Sequence, residues 1–202
     1  MVGRKTIALL VCIILLVGLS PISYAPTANV SLQYDENGNL VQGVEHSYEY
    51  DALNRLAAVR DASDGVLESY FYDSAGQRVR KIEYLDTGER TTYYFDELVR
   101  VVDVDGTTDT YYYSDDSGTL LAREENGQVF YYHPDHLGST SLVTDSNGAV
   151  VEETMYMPFG AVLEGGDERY LFTGQESDDT GLYYYNARYY DPKRGMFLSE
   201  DP

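Results

Sequence analysis

From residue 31 to residue 156, apolar and polar side chains alternate in short runs, broken by turns rich in Asp, Asn and Gly. Alternation at period two sends successive side chains to opposite faces of an extended strand. Helical spacing is weak throughout. Segment 48–60 comes nearest to it, but the Tyr-Asp unit inside fits a turn better. The pattern predicts hairpins pairing 67–72 with 78–84, 90–95 with 99–104 and 110–113 with 119–124. A strand at 128–132 and a hairpin of 141–144 with 150–156 continue the series.

The turns repeat. Tyr34-Asp35-Glu36-Asn37-Gly38-Asn39-Leu40, Tyr50-Asp51-Ala52-Leu53-Asn54-Arg55-Leu56 and Tyr72-Asp73-Ser74-Ala75-Gly76-Gln77-Arg78-Val79 share one plan. Looser copies lie at Tyr84–Gly88, Tyr113–Leu120 and Val143–Val150. An Asp carboxylate bonds its own backbone two residues on, and Asn-Gly or Ser-Gly accepts positive φ. Each unit therefore reads as a hairpin tip. One hairpin cannot bury its own face, so a repeated series implies stacking into one sheet. The expected architecture is all-β: stacked antiparallel hairpins, with a hairpin array over 26–125 and a denser closing domain over 126–202.

Composition sharpens this picture. Twenty-one Tyr, 6 Phe and no Trp fit half-buried pleated surfaces. The net charge of −20 argues against nucleic acid and anionic membranes as partners, since phosphate binding needs Lys and Arg clusters. Its plain role is solubility and protection of strand edges. Residues 1–25 differ in kind: Arg4 and Lys5 precede an apolar run from Thr6 to Leu19, and Ser23-Tyr24-Ala25 resembles a cleavage site. They read as a secretory signal, or as an N-terminal anchor and sole membrane contact if uncleaved, giving an extracytoplasmic location. Cys12 is the one cysteine and lies inside that run, so disulfides are not expected in the mature chain.

Candidate chemistry is sparse. His133 and His136 flank Asp135, but His46 is the third and last histidine, so a closed metal cage is hard to assemble. Asp103, Asp105 and Asp109, and Ser177-Asp178-Asp179, offer calcium-type oxygens without an EF-hand pattern. Tyr183, Tyr184, Tyr185, Tyr189 and Tyr190 suit sugar stacking only if exposed together, and alternation instead packs them on two faces, with Arg188 as a cation–π partner. No catalytic, cofactor-binding or metal-ligating residue is assigned, no cofactor is expected, and the expectation is a protein that is not an enzyme.

The Tyr-Asp-x-x-Gly-x-Leu/Val units resemble the YD repeats of the RHS (rearrangement hot spot) family. His133-Pro134-Asp135-His136-Leu137-Gly138-Ser139-Thr140, Pro158-Phe159-Gly160, Phe172-Thr173-Gly174-Gln175-Glu176, Thr180–Tyr185, Ala187–Pro192 and Gly195–Pro202 are similar, in order, to its repeat-associated core domain. The resemblance implies a spiralling sheet that closes as a hollow shell, and in bacterial members a toxin packaged inside. It also implies an aspartic-type self-cleaving site to which Asp201 would belong. Asp191, ten residues back, reads as a turn residue. Met196 stands where the family often has Arg, and the sequence stops at Ser199–Pro202, where the family runs on. The expected function is an exported structural or interaction protein of the shell or cell surface, truncated and without a toxin of its own. Its partners would be a protein or a second copy at open β edges, or a polypeptide encapsulated in a larger assembly. Two alternatives stand beside it: the C-terminal part of a self-cleaving polymorphic-toxin carrier, and an extracellular adhesin for glycan or calcium.

Overall fold

A computed structural model of the chain describes residues 31–201. The export-signal reading of residues 1–25 lies outside them. Thirteen strands form one sheet in strict chain order, every neighbour antiparallel. They are β1 (Gln33–Tyr34), β2 (Leu40–Gln42), β3 (Ser47–Tyr50), β4 (Leu56–Arg60), β5 (Val66–Tyr72), β6 (Arg78–Leu85) and β7 (Gly88–Phe95), followed by β8 (Leu98–Asp103), β9 (Gly106–Ser114), β10 (Leu120–Glu125), β11 (Gln128–Pro134), β12 (Thr140–Asp145) and β13 (Val150–Glu153). The sheet passes from β10 to β11 without a break. A two-stranded hairpin, β14 (Met155–Tyr156) with β15 (Val162–Glu164), comes next. A 3-10 turn at Phe172–Gly174 follows. The chain ends in a four-stranded sheet of β16 (Glu176–Ser177), β17 (Tyr183–Tyr185), β18 (Arg188–Asp191) and β19 (Met196–Phe197).

The all-β expectation holds, and the predicted hairpins form with small changes of boundary. The difference lies at 150–156. There Thr154 donates its backbone N–H to Ser141 while Met155 and Tyr156 leave to pair with β15.

One device builds most of the hairpins. In Asp35, Asp51, Asp61, Asp73, Asp115, Asp135 and Asp145, Oδ1 accepts the backbone N–H groups two and four residues on, at 2.7–3.0 Å. The third residue after each Asp has positive φ. It is glycine in five turns and Asn54 or Asp64 in the other two. Asn and Asp bear that conformation better than other side chains.

Each of these turns is followed by a β-bulge, where the register skips one residue. The skipped residues are Val41, Ala57, Leu67, Val79, Leu121, Ser141 and Val151, always six after the aspartate. An extra residue shifts the alternation of the strand by one. The residue just before it, five after the aspartate, is thus turned to the covered face in Leu40, Leu56, Arg78 and Thr140, all buried.

After β15 the chain travels back across that inner face. Thr140 donates its N–H to Leu171 and its hydroxyl to Tyr170, over β12. The Tyr170 ring meets Tyr112 edge-on at 4.9 Å, over β9. The last strands lie over β2–β6, where Leu40, Tyr48, Leu56, Val59 and Tyr70 form one core with Leu182, Tyr184, Tyr189 and Leu198. Leu40 N–H donates to the Leu198 carbonyl at 2.7 Å.

Candidate functional site

The seam between the long sheet and the returning segment changes character along its length. Beyond the apolar core, β5, β6 and β7 present charged side chains inward. Arg78 occupies the slot that Leu40 and Leu56 fill in the earlier repeats, and its side chain is 1% exposed. Its Nη2 lies 2.6 Å from Glu176, and its Nη1 donates to Asp178 at 2.7 Å. The guanidinium also sits over the Tyr184 and Tyr94 rings, at 4.3 and 4.9 Å. Such a sandwich suits its flat, weakly hydrated cation. Lys81 donates to the other Asp178 oxygen at 2.9 Å and lies 3.4 Å from Glu83. Arg169 and Tyr94 both donate to Glu176, each at 2.7 Å.

Asp178 shows how the returning segment is adapted. Its backbone makes the same turn as the hairpin aspartates, with Asp178 N–H donating to Leu182 and Gly181 N–H to Asp178. Its carboxylate, though, is given to Arg78 and Lys81.

These contacts set the protonation of the site. Burial alone would push the Glu176 carboxyl up, but Arg78, Arg169 and Lys81 outweigh it and bring it down to about 2. Burial works against the Lys81 ammonium, yet Asp178 and Glu176 hold it above the usual lysine range. Glu68 goes the other way. Burial and the nearby Asp178 carboxylate push it up to about 8, against the pull of Lys81. Burial also raises Glu83 to about 7, with Lys81 opposing and Asp179 adding to the rise. Glu68 accepts the Thr180 N–H at 3.0 Å and the Tyr70 hydroxyl, so it joins β5 to the returning turn. A second charged knot lies over β10 and β11. There Glu168 accepts two bonds from Arg123, both at 3.0 Å, and the Tyr132 hydroxyl at 2.6 Å.

The residues singled out in the sequence fall elsewhere or serve structure. Asp201 is exposed and 3.1 Å from Arg188, on the rim of a cleft of about 490 Å³ lined also by Asn54 and Tyr72. Asp191 is buried in its own turn, accepting the Lys193 N–H at 2.9 Å and pairing with Arg194. The two carboxylates thus have separate cations. His133 is exposed with Nε2 3.0 Å from the Thr144 hydroxyl, His136 is exposed on the Asp135 turn, and His46 is half-buried. Asp103 accepts the Asp105 and Gly106 N–H groups, and Asp109 is held by Arg100. Ser177 lies in β16, and Asp179 sits 3.3 Å from Arg90. Tyr183, Tyr184 and Tyr189 are buried, while Tyr185 and Tyr190 are half-buried beside Phe197. Arg188 has a ring partner, and it is Phe197, at 3.9 Å.

A hairpin meander closed on one face by its own C-terminal strands defines a β-shell wall protein. The Teneurin YD-shell family profile matches residues 25–202, and the chain belongs to that family. The tRNA3(Ser)-specific nuclease WapA of Bacillus spizizenii is 35% identical over 184 residues, covering 85% of this chain and 8% of its own length. Double-stranded DNA deaminase toxin A of Burkholderia cenocepacia is 28% identical over 216 residues, covering 86% of this chain and 15% of its own. The crystal structure of TcdB2-TccC3-Cdc42 superposes with a TM-score of 0.74 at 23% identity, covering 84% of this chain and 10% of that one. These likenesses support the RHS and YD-repeat resemblance and the shell-like fold.

They also overturn one expectation. The sequence reading was of a protein that is not an enzyme, yet relatives matched over most of this chain are named as nucleases and a deaminase toxin. That reading rested on the lack of an assigned catalytic residue or closed metal cage. The chain spans under a sixth of these relatives' length, and a whole protein's activity does not require its residues in the shared stretch.

Proposed function

We propose that this chain is wall and closing segment of the YD shell in a polymorphic-toxin carrier, exported from the cell. Residues 26–125 serve as wall and 126–202 as the segment that seals it. The observation that carries this reading is the 35% identity with the WapA nuclease along 184 residues, a match that covers 85% of this chain and so reaches both segments. The inner face supports it, since it is covered by the chain's own C-terminal strands rather than left open. Among the described residues the long sheet ends at β1 and β13, and Val150 and Val151 on β13 are exposed, so further shell strands are the partners that fit its edges.

The test is recovery of the native protein from its host with an antibody against the exposed 145–150 turn. The reading predicts a co-purifying polypeptide, continuous with the chain or cleaved from it, that resists protease until the shell is denatured. A chain recovered from the extracytoplasmic fraction with no such polypeptide contradicts it.

A further inference from the structure

The ionic end of the seam carries an inference that does not depend on any cargo. Four buried carboxyl groups, Glu68, Glu83, Glu176 and Asp178, share that end with Arg78, Lys81 and Arg169, while Arg90, about a third exposed, is divided between Glu83 at 3.8 Å and the exposed Asp179 at 3.3 Å. Among the described residues Glu68 alone of the four has no cation within 4.0 Å, so its ionised form would be a buried negative charge without a partner, and that is strongly unfavourable. One proton removes it. We propose that this end of the seam is an acid-tightened latch, which holds the C-terminal sheet on the inner face while Glu68 carries that proton and slackens as Glu68 gives it up.

Position makes Glu68 the group that reports to the seam. From its own strand it is faced by Tyr70, whose hydroxyl it accepts. From β6 it is faced by Lys81 and Glu83, and from the returning segment by Asp178 and Thr180. Asp178 is already committed to Arg78 and Lys81, so a Glu68 carboxylate there meets a like charge and no free cation. Glu83 is faced by Lys81 on its own strand, by Arg90 from β7 at 3.8 Å and by Asp179 from the returning turn. Glu176, deeper in, keeps Arg78, Arg169 and Tyr94.

The direction follows from which state binds the proton more tightly. A carboxyl whose folded value lies above its unfolded value contributes stability in full below the unfolded value, and loses it as the pH rises toward the folded value. For Glu68 that window runs from 4.5 to about 8, and Glu83 adds in the same sense up to about 7. Glu176 opposes only at the acid extreme, where its contribution fades from 4.5 down to about 2. The seam is therefore tightest in mildly acid solution and loosest in alkali.

Hydrogen exchange of the full chain, corrected for intrinsic rates, tests this. Protection of amides in Tyr183–Tyr185 and Arg188–Asp191 should fall roughly tenfold or more between about pH 5.5 and about pH 8.5, while β8 and β9 stay within roughly twofold. Glu68→Gln fixes the neutral form at that position, so its protection should fall clearly less than in the wild type, keep only the Glu83 share below about pH 7, and stay within roughly twofold from about pH 7 to about pH 8.5. The wild-type chain alone keeps the test open should that variant not fold. Unchanged protection of the C-terminal sheet, an equal loss in all strands, or the same pH response in Glu68→Gln overturns the latch.

Discussion

At one end of the seam Leu40, Leu56 and Val59 meet Leu182 and Leu198. At the other, on the same sheet, Arg78 and Lys81 meet Glu176 and Asp178. The facing side chains are buried at both ends, and both hold the C-terminal strands on the inner face. The apolar end gains by removing surface from water, a contribution that does not depend on pH. The ionic end must offset the desolvation of every charge, so it holds only while the pairing is complete. The apolar end therefore supplies affinity, and the ionic end makes that affinity conditional.

The sharpest way to break this contrast is to remove one charge at the ionic end. Arg78→Ala leaves Glu176 and Asp178 short of a partner and should cost about 3–5 kcal/mol in urea unfolding. Arg80→Ala, two residues on, should cost under about 1 kcal/mol. Arg80 faces the other way and lies over the Phe71 ring at 3.8 Å. Equal losses would mean that the inward network adds nothing. At the apolar end, Leu198→Ala should cost about 2–5 kcal/mol, by the same amount at acid and alkaline pH. A pH-dependent loss there would merge the two ends into one. Tyr94→Phe removes one of the two hydrogen-bond donors to Glu176 and should cost about 1–2 kcal/mol, read by thermal shift.

The smallest effect sharpens the turn account. Asp64 holds φ of 69° where five sister turns use glycine, so Asp64→Gly should gain about 0.5 kcal/mol. A loss would mean that the ion pair of Arg60 with the Asp64 carboxylate, at 3.9 Å, outweighs the backbone.

The sheet was legible in the sequence because its rule is local. An aspartate, a residue able to take positive φ and alternating strands recur, and each hairpin can be read from its own dozen residues. The ionic seam was not legible, for two physical reasons. Its partners are about 100 residues apart, as Arg78 and Asp178 show. The bulge at Val79 also shifts the alternation, so Arg78 turns inward although period two would group it with outward Arg80. One signal was present. Arg78 stands where Leu40 and Leu56 stand in the first two repeats, and a charge in an apolar slot calls for buried counter-charges. Of the acidic residues singled out in the sequence, Asp103 and Asp135 hold their turns by accepting backbone N–H groups. The missing catalytic pattern was over-read, because it was taken to describe the whole activity of the protein.

Carbon-13 titration of the glutamate side chains reads the conditional end of the seam most directly. The account predicts that Glu68 keeps its proton until about pH 8 and Glu83 until about pH 7. Both carboxyls titrating at the ordinary 4.5 would contradict it, because the seam would then hold an uncompensated charge at neutral pH without strain.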